Sequence, residues 1–107
     1  MPTYVVRLSH PPESCPSSHS KIRQFIQNKS PELPTISERL GVKIVAGPFV
    51  LGSEHEGLAI VETDRVESVN DFLLESGIAQ WNSVRVSMAQ PLQAALAQLN
   101  NAPPPLY

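Results

Sequence analysis

Proline sets most of what this chain can fold into. Its ring fixes φ near −65° and removes an amide donor, so each proline is confined to a strand edge, a turn or the first turn of a helix. The 107 residues include 11 prolines, about twice the usual frequency of roughly 5%. Their positions cut the chain into short elements. Pro11, Pro12 and Pro16 close the first apolar stretch, Pro31 and Pro34 interrupt a helical pattern, and Pro48 falls inside a β-branched run. Pro91 opens the last periodic segment, and Pro103 to Pro105 lie in a tail.

Between these marks the periodicities are clear. Residues 3–9 (TYVVRLS) read as a strand, with Tyr4, Val6 and Leu8 on one face and Thr3, Val5, Arg7 and Ser9 on the other. Ser17 and Ser18 offer capping hydroxyls to a helix striped by Ile22, Phe25 and Ile26. Ser30, as a cap, and Pro31 predict a pause and a second start that carries Leu33, Ile36 and Leu40 inward and closes at Gly41. Residues 42–51 (VKIVAGPFVL) return as a strand with a bulge or kink at Gly47-Pro48. The turn GSEHEG then leads into a hairpin partner at residues 58–63. Asp64 and Glu67 have capping-box spacing before Val69, Phe72 and Leu73, and Gly77 ends that helix. Residues 83–88 (SVRVSM) alternate with Val84, Val86 and Met88 inward, and residues 91–99 form a short helix.

The order β-α-β-β-α-β, with an extra C-terminal helix, predicts an α+β, ferredoxin-like fold with a four-stranded antiparallel sheet. Residues 1–100 make one domain and residues 101–107 a proline-rich tail. Two helices cover one sheet face, while the other has no layer from its own chain. Arg7, Arg85 and Ser87 fall on that open face beside Thr3 and Val5. A second copy is the simplest cover, so a homodimer or higher homo-oligomer is expected.

This element order, the stretch "AIVETDRVESVNDFLLESG" and the strand "VRVSM" resemble the dimeric α+β barrel superfamily, and within it the small GYD-type and YCII-like families. The likeness covers roughly residues 2–100 and implies a barrel built from two sheets. Where GYD-type proteins carry Gly-Tyr-Asp, this chain has Glu54-His55-Glu56-Gly57, and its first loop, HPPESCPSSHS, is longer. Relatives in the superfamily include cofactor-poor monooxygenases, isomerases and haem-binding proteins, so the likeness selects no reaction.

Composition narrows the functional classes. A net charge of −2 and a pI near 5.8 give no electrostatic footprint for nucleic acid or an anionic membrane. No apolar run approaches the roughly 20 residues that span a bilayer, and no cationic segment precedes an apolar one at the start. A cytoplasmic protein that binds a small molecule is therefore expected. A single cysteine allows neither an internal disulfide nor a cysteine-rich zinc finger.

Topology brings the connections 9–19, 52–57 and 77–82 to one end of the sheet. Together they hold His10, His19, His55, Cys15, Glu13, Glu54, Glu56 and Trp81. Three chemistries could use them. His10, Cys15 and His19, joined by His55 or a glutamate, offer ligands for zinc, copper or iron. Alternatively Cys15, close to a helix N-terminus with His10 or His19 nearby, would be a thiolate nucleophile or redox group. Thirdly, His10 or His55 would transfer a proton while Arg7 or Arg85 anchors an anionic substrate and Trp81 walls the pocket. The plainer alternative leaves the histidines solvated, Cys15 packed in a gap, and the arginines paired with Glu62 or a second subunit. From a different class, Pro104-Pro105-Leu106-Tyr107 resembles the Pro-Pro-x-Tyr ligand of WW domains, which would make the tail a recruitment motif.

Overall fold

The computed structural model describes residues 1–106. Strands β1 (Thr3–Ser9), β2 (Lys43–Leu51), β3 (Glu56–Glu62) and β4 (Ser83–Ala89) form one antiparallel sheet in the order β2-β3-β1-β4. Helices α1 (Ser20–Lys29) and α2 (Leu33–Leu40) join β1 to β2, α3 (Val66–Glu75) and α4 (Ile78–Trp81) join β3 to β4, and α5 (Leu92–Gln98) follows. This is the α+β, ferredoxin-like order that the periodicities predict. Among the described residues no helix is long and apolar enough to cross a membrane.

The core lies between the sheet and its helices. Tyr4 and Val6 of β1 and Val61 of β3 meet Ile36, Val69, Phe72 and Leu73. Burying each of the larger side chains contributes about 1.5–3 kcal/mol, which is what holds α2 and α3 down. Helix α1 is different, having no buried residue. Phe25 and Ile26 are only half-buried, so a gap remains beneath this helix.

Proline placement matches its expected uses. The 3-10 turn Pro12–Ser14 has proline at its start, the break between α1 and α2 falls at Ser30–Glu32, and Gly41 closes α2 with φ of 72°. Strand β2 runs through Gly47-Pro48 with its register shifted between Ala46 and Phe49. Gly77 turns the chain at φ of 79° with the Phe25 ring packed where a β-carbon would stand.

Several local expectations are corrected. Helix α1 begins later than the serine caps imply, and His19 is its N-cap, with Nδ1 accepting from the Ile22 amide at 3.2 Å. Ser30 does not cap forward, because its hydroxyl donates back to the Ile26 carbonyl at 2.7 Å. The Asp64/Glu67 capping box does not form: α3 has Arg65 at its N-cap without a side-chain cap, and Thr63 Oγ1 takes the Arg65 amide instead. In β4, Val84 packs on the core, but Val86 and Met88 are exposed. The covering layer stops short of them, and α5 does not fold back, leaving Leu92, Leu96 and Leu99 exposed as well.

Candidate functional site

The loop between β1 and α1 is held in a defined shape by its own backbone. The Ser18 and His19 amides both donate to the Cys15 carbonyl, at 2.9 and 2.8 Å, and the Ser18 hydroxyl donates to the Pro12 carbonyl at 2.8 Å. From α1, Arg23 reaches back and donates to the carbonyls of Pro16 and Ser17 at 2.8 and 2.7 Å. The loop is thus pinned at both ends of its cysteine segment.

The β2–β3 hairpin supplies the facing side. His55 sits in the left-handed region at φ of 54°, a conformation that costs a non-glycine residue about 1–2 kcal/mol. Its carbonyl accepts the His10 amide at 3.1 Å, tying hairpin to loop. The two imidazoles meet edge to face with centroids 5.6 Å apart, and the Trp81 ring lies 5.2 Å from His10.

One ligand atom each from His10, Cys15 and His55 lie within 4.8 Å of one another, so the three residues could hold a metal ion. His10 Nδ1 meets Asn82 Oδ1 at 3.1 Å, while the Asn82 amide nitrogen donates to the Ile78 carbonyl at 3.2 Å. That second bond turns the Asn82 oxygen toward His10. An oxygen can only accept, so Nδ1 carries the proton and Nε2 keeps its lone pair. His10 Nε2 and His55 Nδ1 are both buried with no hydrogen-bond partner among the described residues, as is Trp81 Nε1. Two buried imidazole nitrogens without partners, next to a thiol, are what ordinary packing avoids.

Cys15 is half-buried, with Sγ 2.9 Å from the Ser17 hydroxyl. Hydrogen bonds from the Ser17 hydroxyl and then the Ser17 amide are the largest of the effects that pull its pKa down from 9.0 to about 6, against a smaller upward push from burial. A pKa lowered in this way favours the thiolate, the form that ligates metals and attacks electrophiles.

These atoms sit at one end of a cavity of about 560 Å3 that runs beneath α1, between Phe25, Ile26 and Leu33 on one side and Phe49 and Leu51 of β2 on the other. Trp81 and Asn82 line the polar end.

Of the expected site residues, the structure brings together His10, Cys15, His55 and Trp81. His19 is used elsewhere, as the α1 cap, and is not one of the three clustered ligands. Arg7 and Arg85 face each other across β1 and β4, exposed on the open face, and do not line this cavity. Glu13 and Glu54 are exposed, while Glu56 is half-buried and lines the cavity. No sequence motif marks Asn82 or Arg23, and Ser17 is marked in the sequence only as a helix cap, a role it does not take. Asn82 does lie in the 77–82 connection, directly after Trp81, which is the one signal that could have found it. In the tail, Pro104 to Leu106 have no regular structure and Leu106 is exposed. Tyr107, on which the Pro-Pro-x-Tyr reading depends, lies outside the described residues.

Comparison with protein-family models, with curated proteins and with solved structures returns no match for this chain.

Proposed function

We propose that this protein binds one transition-metal ion, zinc, copper or iron, through His10, Cys15 and His55, and presents it to an organic molecule in the adjoining cavity. The observation that carries this reading is the pair of buried, partnerless imidazole nitrogens beside a thiolate-prone cysteine. Tetrahedral coordination at about 2.0–2.3 Å sets donors roughly 3.5 Å apart, so binding would draw donors that lie within 4.8 Å of one another together by at most about 1.3 Å. Three protein ligands leave a fourth position for a small molecule, the arrangement of a reactive rather than a structural centre. Asn82 would act as the outer partner that fixes the His10 tautomer and ring orientation. Equilibrium dialysis of tag-free protein against zinc tests it: one equivalent per chain is expected, and substoichiometric zinc unchanged by Cys15→Ser would refute it.

A second reading rests on the Asn82–His10 contact itself. Cys15, His10 and Asn82 form a cysteine–histidine–asparagine series of the kind used in acyl transfer. Cys15 would pass its proton to His10 Nε2 as its sulfur attacks an acyl carbon, and the resulting imidazolium would return that proton to the leaving group, with water then releasing the acyl group from sulfur. Hydrolysis of p-nitrophenyl octanoate that survives a chelator but is lost in Cys15→Ser would favour this reading over the metal.

The protein is further proposed to pair with a second copy. Support comes from Val86, Met88, Leu92, Leu96 and Leu99, all exposed, and from α5, whose seven residues are too few for a stable isolated helix. Light scattering should return a dimer mass.

A further inference from the structure

We infer that the cavity beneath α1 takes an elongated, apolar molecule bearing a single carboxylate, seated with that carboxylate at the His10–Cys15–His55 end. The inference rests on the metal reading above and names the ligand class that the same site would accept.

Shape comes first. The wall from Pro48 to Gly52 spans about 13 Å at the rise of a strand, and the lining continues from Pro16 in the first loop through Phe25, Ile26 and Lys29 of α1 to Leu33 of α2. At about 560 Å3 it falls within the range of roughly 300–1,000 Å3 for small-molecule pockets. Walls of that length suit a chain or an arylalkyl group.

Chemistry is divided along its length. Beyond the donor end the walls are Phe25, Ile26, Leu33, Phe49 and Leu51. The charged lining residues are Lys29, which lies 3.8 Å from Glu32, and Glu56. A second charge on the ligand would have to be stripped of water against hydrocarbon, a cost of several kcal/mol or more when unpaired. Sugars, nucleotides, zwitterions and dicarboxylates are thereby disfavoured.

The donor end selects the head group. A divalent ion with one thiolate and two neutral imidazoles carries a net positive charge, and its open position favours an anion. Trp81 Nε1 is buried with no acceptor among the described residues, and its ring packs beside His10. A carboxylate has two oxygens, so one can fill the open position while the other accepts from the Trp81 N–H. An alcohol or a thiolate offers only one atom for two demands.

Trp81 is the single tryptophan of the chain, so its emission reports directly on this end. Zinc binding is measured first by calorimetry, then the zinc-loaded protein is titrated with octanoate, octan-1-ol and the dicarboxylate suberate. Octanoate should change Trp81 emission saturably and bind at least tenfold more tightly than either comparator. Ile26→Phe, which fills the slot away from the donors, should weaken octanoate at least tenfold and leave zinc stoichiometry at one. If zinc binds but octanoate does not, or suberate binds equally well, the ligand assignment is overturned while the metal reading stands. If zinc itself fails to bind, the metal reading falls and the ligand assignment with it.

Discussion

His10 Nδ1 lies 3.1 Å from Asn82 Oδ1, a contact between residues 72 positions apart that joins the first loop of the chain to the entry of its last strand. Asn82 Oδ1 has no proton to give, so this contact fixes Nδ1–H and leaves Nε2 with the lone pair that the proposed metal site would use. Replacing Asn82 with Ala should weaken zinc by about 10–100-fold with little change in stoichiometry. Asn82→Asp, which keeps the acceptor and makes the imidazole more basic, should retain most of the affinity. Competition titrations against a chromogenic chelator measure both.

Cys15 should titrate as an acidic thiol in the metal-free protein. Alkylation rate against pH is expected to show a midpoint near the folded value of about 6, well below the usual thiol. Ser17→Ala, which removes the first of the groups that lower it, should shift that midpoint upward. The sign of the stability effect follows from linkage. The folded-state pKa is depressed, so between about 6 and 9.0 the unfolded chain binds more protons than the native one. Stability therefore rises with pH through this window, is fully present above it, and is lost as pH falls through 6. Urea midpoints across the window, compared with those of Cys15→Ser, check the direction.

His55 sets stability against function. In the left-handed region at φ of 54°, glycine would relieve about 1 kcal/mol or more, offset in part by its extra chain entropy. His55→Gly should therefore be neutral to modestly stabilising in thermal unfolding, yet lose metal binding. A loss of both would mean that the ring is needed for packing rather than for ligation.

Much of this arrangement was legible in the residues, and the exceptions share one cause. Alternation in β1 and the stripes of α2 and α3 predict the core because burial imposes a period on the chain. Element order alone then brings His10, Cys15, His55 and Trp81 to one end. Side-chain hydrogen bonds leave no such period. His19 looks like a ligand by spacing, yet its ring accepts the Ile22 amide. Asn82 is an ordinary polar residue until Ile78 turns its amide. The exposure of Val86 and Met88 was equally hidden, because alternation says which face a residue takes and not how far the covering helices extend.

Gly77 and Phe25 form the tightest constraint on the helix that roofs the cavity. A β-carbon at residue 77 would overlap the Phe25 ring, and the backbone there is left-handed at φ of 79°. Gly77→Ala should cost roughly 2–4 kcal/mol from overpacking and backbone strain together. Adding Phe25→Leu should recover the overpacking part but not the backbone part. Denaturant unfolding of the two single variants and the double resolves the two contributions.

The central claim is that His10, Cys15 and His55 form one metal site, and cobalt(II) titration followed by absorption tests it most directly. A thiolate-to-cobalt band should grow to saturation at one equivalent per chain, with visible bands of four-coordinate intensity. Cys15→Ser should abolish the charge-transfer band, His10→Ala and His55→Ala should each weaken binding at least tenfold, and His19→Ala should leave it unchanged. Absence of the thiolate band in the native protein, or equal binding by the native chain and the His10 and His55 variants, would contradict the account.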